Sequence, residues 1–246
     1  GSPTSRLSRQ RSRAVLLRHN SGINSTRNVV RKQEAGGDMP RLTWSDPQLR
    51  TYELGVDRGV FYPFGLSARA WTGLVSVDEG RDGGEVQSYY LDGIKYRDVV
   101  SFEDFTPTIE CLSYPELLEE YIGFAKYGNL FVGNQRRRAF GFSYRTKVGN
   151  EPAGINFAYK VHLVYNLLLT PSGKTYNTVS ETVEPLVNSF DGTTVPIPIA
   201  GKRPSAHLVV PSSAPQLSAL EDILYGTLTT TGRLPLPAEV YTIMGA

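Results

Sequence analysis

The side chains with the widest chemical range in this sequence are three histidines, one cysteine and a scatter of carboxylates. His162 lies in the run Tyr159-Lys160-Val161-His162-Leu163-Val164-Tyr165, on the face opposite Val161 and Leu163, and His207 lies in Ala206-His207-Leu208. A Ser-His-Asp site is set by geometry and not by sequence spacing, but no Gly-x-Ser-x-Gly elbow marks a nucleophile. Both histidines therefore read as hydrogen-bonded structural residues of strands. Cys111 ends an apolar strand and reads as buried and inert. A single cysteine closes no internal disulfide, and three histidines complete no Cys/His spacing for structural zinc. Glu103, Asp104 and Glu110 lack the spacing of a calcium loop. No GxGxxG or Walker loop is present, since Gly83-Gly84 precedes a strand rather than opening a helix. The sequence leads us to expect no enzyme, no cofactor and no metal.

Two charged clusters are left as candidate assembly contacts. Asp78, Glu79, Arg81 and Asp82 sit among glycines in a segment, 78–84, that reads as the tip of a long hairpin. Arg136, Arg137 and Arg138 follow Gln135 and form the one basic cluster of the body. A solvated turn is the plain reading of that run; an intersubunit contact is the sharper one, because arginine forks pair well with carboxylates of a neighbouring chain.

The elements that would position these residues are mostly strands. Runs rich in Val, Ile, Thr, Tyr and Phe at 70–77, 86–91, 102–112, 139–148, 155–169 and 206–210 are separated by Gly, Pro, Asn and Asp. Phe140, Phe142, Tyr144 and Thr146 share one face of a strand, and Gly141, Ser143, Arg145 and Lys147 share the other, as in a half-buried strand with a solvated or partner-facing side. Asp92-Gly93 between Tyr89-Tyr90-Leu91 and Ile94-Lys95-Tyr96 is a hairpin signal. Ser213, Pro215 and Gln216 supply an N-cap, an early-turn proline and a capping-box partner for a helix whose apolar stripe is Leu217, Leu220, Ile223 and Leu224, ending at Gly226. A shorter helix over 115–122 would turn Leu117, Leu118 and Tyr121 inward and stop at Gly123.

The chain has 246 residues, 40% hydrophobic and 20% charged, which fits a globular body and excludes a collagen-like or wholly disordered one. The apolar stretches fall short of the roughly 18 residues that span a bilayer. Residues 1–38 hold eight basic and two acidic residues, whereas 39–246 hold 18 basic and 22 acidic, so a basic arm precedes a mildly acidic body. The arm has no sustained apolar period and reads as disordered in isolation. Its Arg- and Ser-rich composition fits an organellar transit peptide or a phosphate-binding arm. Ala35-Gly36-Gly37-Asp38-Met39 can also be encoded with a ribosome-binding site before an ATG, which makes Met39 the expected natural start, the arm translated leader and Gly1-Ser2 a tag remnant.

Several phrases together resemble a family. Gly73-Leu74-Val75-Ser76-Val77, Tyr90-Leu91-Asp92-Gly93-Ile94-Lys95-Tyr96, Thr108-Ile109-Glu110, Tyr114-Pro115-Glu116, Phe140-Gly141-Phe142-Ser143-Tyr144-Arg145-Thr146 and His162-Leu163-Val164-Tyr165-Asn166 are similar to the major tail protein of siphophages infecting Gram-positive actinobacteria. The similarity covers most of residues 44–241 and omits the arm, which has no counterpart in such proteins. The resemblance implies a mainly β fold (β+α), an antiparallel β-sandwich or half-barrel with one or two flanking helices. It also implies a homo-oligomer of six-subunit rings stacked into the tail tube that conducts double-stranded DNA out of the virion. The implied partners are tape-measure, tail terminator and distal-tail proteins, with transient DNA contact and no membrane; the protein would be made in the host cytoplasm. A distal-tail or baseplate-hub protein of the same fold, and a phage-encoded DNA-binding protein using the basic arm, are the alternatives.

Overall fold

The computed structural model describes residues 44–47, 49–178 and 185–245. The expectations for the arm, the Met39 start and Gly1-Ser2 lie outside them. Within them the chain forms β1 (Thr51–Tyr62), β2 (Arg69–Trp71), β3 (Leu74–Gly83), β4 (Val86–Leu91), β5 (Ile94–Val100) and β6 (Glu103–Cys111). A 3-10 turn (Glu116–Glu120) follows, then β7 (Ala125–Tyr127), β8 (Leu130–Val132), β9 (Phe140–Asn150), β10 (Gly154–Pro171), β11 (Asn188–Thr194) and β12 (His207–Pro211). Two helices close the chain, α1 (Leu217–Tyr225) and α2 (Pro237–Met244). The fold is mainly antiparallel β, as the sequence led us to expect.

The main sheet runs β2-β1-β9-β10-β11-β6-β3, with β12 also paired to β10. Strand β10 is shared: residues 160–164 pair with β12 and residues 167–171 with β11. Between these stretches Asn166 takes a positive φ of 49°, and the register against β9 slips between Val164 and Leu167. An extra residue on one strand bends it and sharpens its twist. The bend carries β11, β6 and β3 back over the other strands. Residues from both ends of the strand order therefore meet in one core: Phe61 and Trp71 with Ile109 and Phe190. Trp71 packs edge-on against Phe142 at 5.2 Å and Phe190 at 6.4 Å, and its indole N–H donates to the Ser113 carbonyl.

The helices fill a second core on the opposite side of β1, β9 and β10. Along β10, Val161, Leu163 and Tyr165 face Leu217, Leu220 and Leu224 of α1 and Val240 of α2. The alternation that turns these odd positions to the helices turns His162 and Val164 the other way. Of the β9 face expected to be solvated or partner-facing, this layer covers Gly141 and Ser143, whereas Arg145 and Lys147 stay partly exposed. Ser143 is fully buried, 3.0 Å from the Tyr62 hydroxyl, which itself donates to the Leu224 carbonyl, and Leu234 covers Gly141 so closely that a Cβ there would lie 2.5 Å from it.

Three further expectations change. Segment 78–84 is not a hairpin tip: β3 continues through it against β6, from Asp78 opposite Thr108 to Gly83 opposite Glu103. Gly83 and Gly84, with φ of 91° and 73°, bend the two-stranded ribbon instead of ending it, and the bonds Gly84 N to Phe102 O and Ser101 N to Glu85 O carry the pairing on into β4 and β5. The tip is Asp92-Gly93, both at positive φ, as a two-residue hairpin turn requires. Helix α1 has Gln216 rather than Ser213 at its N-cap, because Ala214, Pro215 and Gln216 first form a turn closed by Leu217 N on Ala214 O. The expected helix over 115–122 is a 3-10 turn that buries Leu118.

Candidate functional site

Of the charged candidates, Asp78, Glu79, Arg81 and Asp82 lie on β3, an edge strand of the main sheet. Arg81 pairs at 3.4 Å with Glu103 across the ribbon, with both side chains about half exposed. Arg136, Arg137 and Arg138 are exposed between β8 and β9. Arg137 Nη1 donates to Thr170 Oγ1, and Arg138 lies over the Tyr121 ring with Glu120 3.9 Å away. The two clusters are not brought into one site.

Glu79 instead turns inward to meet both strand histidines. In the antiparallel register His162 stands opposite Tyr144 on β9 and Val209 on β12, and Val164 stands opposite His207. His162 and His207 are thus diagonal neighbours on one face, within reach of each other. His162 Nδ1 lies 3.0 Å from His207 Nε2 and 3.1 Å from Glu79 Oε1. Tyr144 donates its hydroxyl to the same Glu79 oxygen at 2.7 Å, and His162 Nε2 meets Thr146 Oγ1 at 2.9 Å. Phe105, His207, His162 and Tyr144 form a stack, with successive centroids 4.2, 5.2 and 4.5 Å apart.

The electrostatics follow from this packing. The hydrogen bond from His162, aided by Tyr144, holds the Glu79 carboxyl down at about 2 despite its partial burial. Burial lowers His207 to about 4, against the attraction of Glu79. A cleft of about 160 Å³, lined by Arg81, Glu103, Asp104, Phe105, Ser205 and His207 among others, opens onto the outer side of this group. The three side chains that converge come from positions 79, 162 and 207, so no local spacing marks them. The period-two face of β9 that carries Tyr144 and Thr146 was the one sequence signal pointing here.

The β4–β5 ribbon is the other distinctive surface. Among the described residues its strands pair only with each other, and every residue of both is exposed. Val86, Tyr89, Tyr90, Leu91, Ile94 and Tyr96 are among them, with Ile94 73% and Tyr96 71% exposed.

No family model matches the chain, and no curated protein does. Among solved structures, the chain is similar to one from the PVC sheath-tube complex, in the extended state, of an extracellular contractile injection system. That likeness has 10% identity and a TM-score of 0.35, over 62% of this chain and 88% of the other. It is also similar to one from the anti-feeding prophage cap, the AFP tube terminating cap, with 13% identity and a TM-score of 0.34 over 62% and 87% of the two chains.

Proposed function

We propose that this chain is a structural subunit of a tail-type tube, which pairs with further copies of itself in stacked six-subunit rings and lines a conduit for duplex DNA. The observation that carries this is the β4–β5 ribbon. A two-stranded hairpin is marginal in water without a partner, and this one carries exposed large apolar residues on its two strands, Val86, Tyr89, Tyr90, Leu91, Ile94 and Tyr96 among them, as an interface element would. A second copy of the chain is the occupant that fits. The ribbon extends the edge strand β3 and its neighbour β6, and among the described residues β3 has no strand partner along one side, the arrangement that takes up a further strand. The resemblance to siphophage tail-tube proteins in the sequence supports the same architecture, and a structural role in place of catalysis.

The dimensions are compatible. If each of six subunits lends four strands, about 24 strands spaced about 4.8 Å apart and tilted about 45° close a ring roughly 50 Å across, leaving roughly 40 Å inside the side chains. Duplex DNA passes through such an opening. Negative-stain electron microscopy and sedimentation of the purified chain test the proposal: long tubes of stacked rings are expected. Isolated rings would point to a distal-tail or hub role. A monomer that binds DNA in a salt-sensitive way, lost on removal of residues 1–38, would point to a DNA-binding protein.

A further inference from the structure

We propose that Glu79, His162 and His207 form a binding site for a divalent transition-metal ion of the zinc class, a clamp between strands far apart in the sheet order. One ligand atom from each residue lies within 4.8 Å of the other two. Two of the separations, 3.0 Å between the histidine nitrogens and 3.1 Å from His162 Nδ1 to Glu79 Oε1, are close to the roughly 3.3 Å that separates donors around a tetrahedral ion with bonds of about 2.0–2.1 Å. Two imidazoles and one carboxylate suit zinc, and also cobalt or nickel, better than magnesium or calcium.

The surrounding groups support the ligands as such sites require. Thr146 Oγ1 sits on His162 Nε2; when that nitrogen carries the proton, Nδ1 presents a lone pair toward Glu79 and His207. Tyr144 donates to the Glu79 oxygen that faces His162 and so fixes the carboxylate. The aromatic stack from Phe105 to Tyr144 holds both imidazole rings. In the ion-free chain the His162 Nδ1 proton serves Glu79; an ion that displaces this proton takes over the same nitrogen and oxygen as donors. The Glu79 side chain is about one-third exposed, which gives a cation a way in, and a cleft with Glu103 and Asp104 in its wall lies beside His207. Because β3 stands at one end of the strand order while β10 and β12 lie in its middle, the ion would tie the folded-over leaf to the rest of the sheet.

The test uses the full chain without a histidine tag, stripped with a chelator. Zinc chloride titrated by calorimetry is expected to bind at one ion per chain and to raise the melting temperature, and cobalt is expected to give the visible absorption of a tetrahedral site. His207→Ala and Glu79→Gln should each weaken binding at least tenfold with an unchanged near-ultraviolet circular dichroism spectrum. Tyr144→Phe should weaken it by about tenfold through loss of the supporting bond. If one variant fails to fold, the other decides, since Glu79 and His207 come from different strands. A folded wild-type chain that takes up neither zinc nor cobalt would overturn the proposal and leave the three groups sharing a proton. Binding that survives in both His207→Ala and Glu79→Gln would overturn it equally, by placing the ion elsewhere.

Discussion

Arg145 on β9 forks onto Asp57 on β1, where the two strands place them directly opposite each other, with Nε to Oδ1 and Nη2 to Oδ2 both at 2.7 Å. Lys147 Nζ stands 3.7 Å from the same carboxylate, and the guanidinium lies 4.7 Å from the centroid of the Tyr159 ring. The pair sits beside an irregularity: the register slips between Asp57 and Val60, and Arg58 between them takes a positive φ of 50°. A bidentate ion pair fixes distance and angle together, so it pins the strand where the backbone alone leaves the pairing open.

Asp57→Asn should therefore destabilise the chain by about 1.5–3 kcal/mol at neutral pH, the range for hydrogen bonds to charged groups. The hydrogen bonds from Arg145 hold the Asp57 carboxyl below its ordinary 3.8. Its contribution is thus present above the unfolded value and is lost as pH falls through the folded one. Urea unfolding of both proteins at a series of pH values should show the gap between them close below about pH 4. A gap that stays constant with pH would remove the ion pair as its cause.

Leu220 tests the helical layer. Its side chain is fully buried between α1 and the sheet, in the cluster with Leu163, Leu217 and Leu224. Leu220→Ala should cost about 2–5 kcal/mol, as removal of a buried leucine does, measured by denaturant midpoint at unchanged slope. A cost below about 1 kcal/mol would mean that the helix packs on the sheet without depending on this position.

The strands that were legible in the sequence are those with uninterrupted apolar or alternating runs: β4 and β6 fall almost where their residue types put them. Strand β1 was hidden because Gly55 and Arg58 at positive φ break its alternation, and β11 (NSFDGTT) because only one of its seven residues is a large apolar one. Helix α2 carries its signals, Pro237 at the start and Gly245 in the left-handed conformation after the end, but its apolar stripe is short. The charged segment around Asp78 read as a turn because glycines and acids mark turns on average. Here Gly80 is needed because a Cβ would lie 2.4 Å from the Thr106 carbonyl of the paired strand. The cluster of Glu79, His162 and His207 was out of reach, since only the bend of β10 and the fold-over of β3 bring those positions together.

High pH probes the second core from the inside. Tyr62, Tyr165 and Tyr225 all have phenols pushed up from 10 by burial, Tyr225 to about 12. Below pH 10 both the folded and the unfolded chain hold them neutral, so nothing is lost. As pH rises from 10 toward 12 the unfolded chain ionises first, and stability falls across that window. The late part of the tyrosinate rise, that of these buried phenols, should coincide with loss of the β circular dichroism signal in one cooperative step. Titration of these tyrosines well below unfolding would show them to be open to solvent.

The ribbon offers the most direct test of self-assembly. Glu85 O and Ser101 N are already bonded at 3.0 Å where the ribbon leaves the sheet, so residues 86–100 can be replaced there by a two-residue Asn-Gly turn without disturbing β3 or β6. Because, among the described residues, β4 and β5 pair only with each other and are exposed throughout, the shortened chain should keep its stability to within about 0.5 kcal/mol. Tube formation should nevertheless disappear. Ile94→Asp or Tyr96→Asp places a charge on the two most exposed apolar residues of the ribbon, and each should raise the concentration needed for assembly at least tenfold, which corresponds to about 1.4 kcal/mol. Sedimentation velocity and negative-stain microscopy of the three variants beside the parent chain give the answer. Tubes formed as readily by the shortened chain would mean that the ribbon is not the element through which copies meet, and would shift the search to the free edges of β2 and β3.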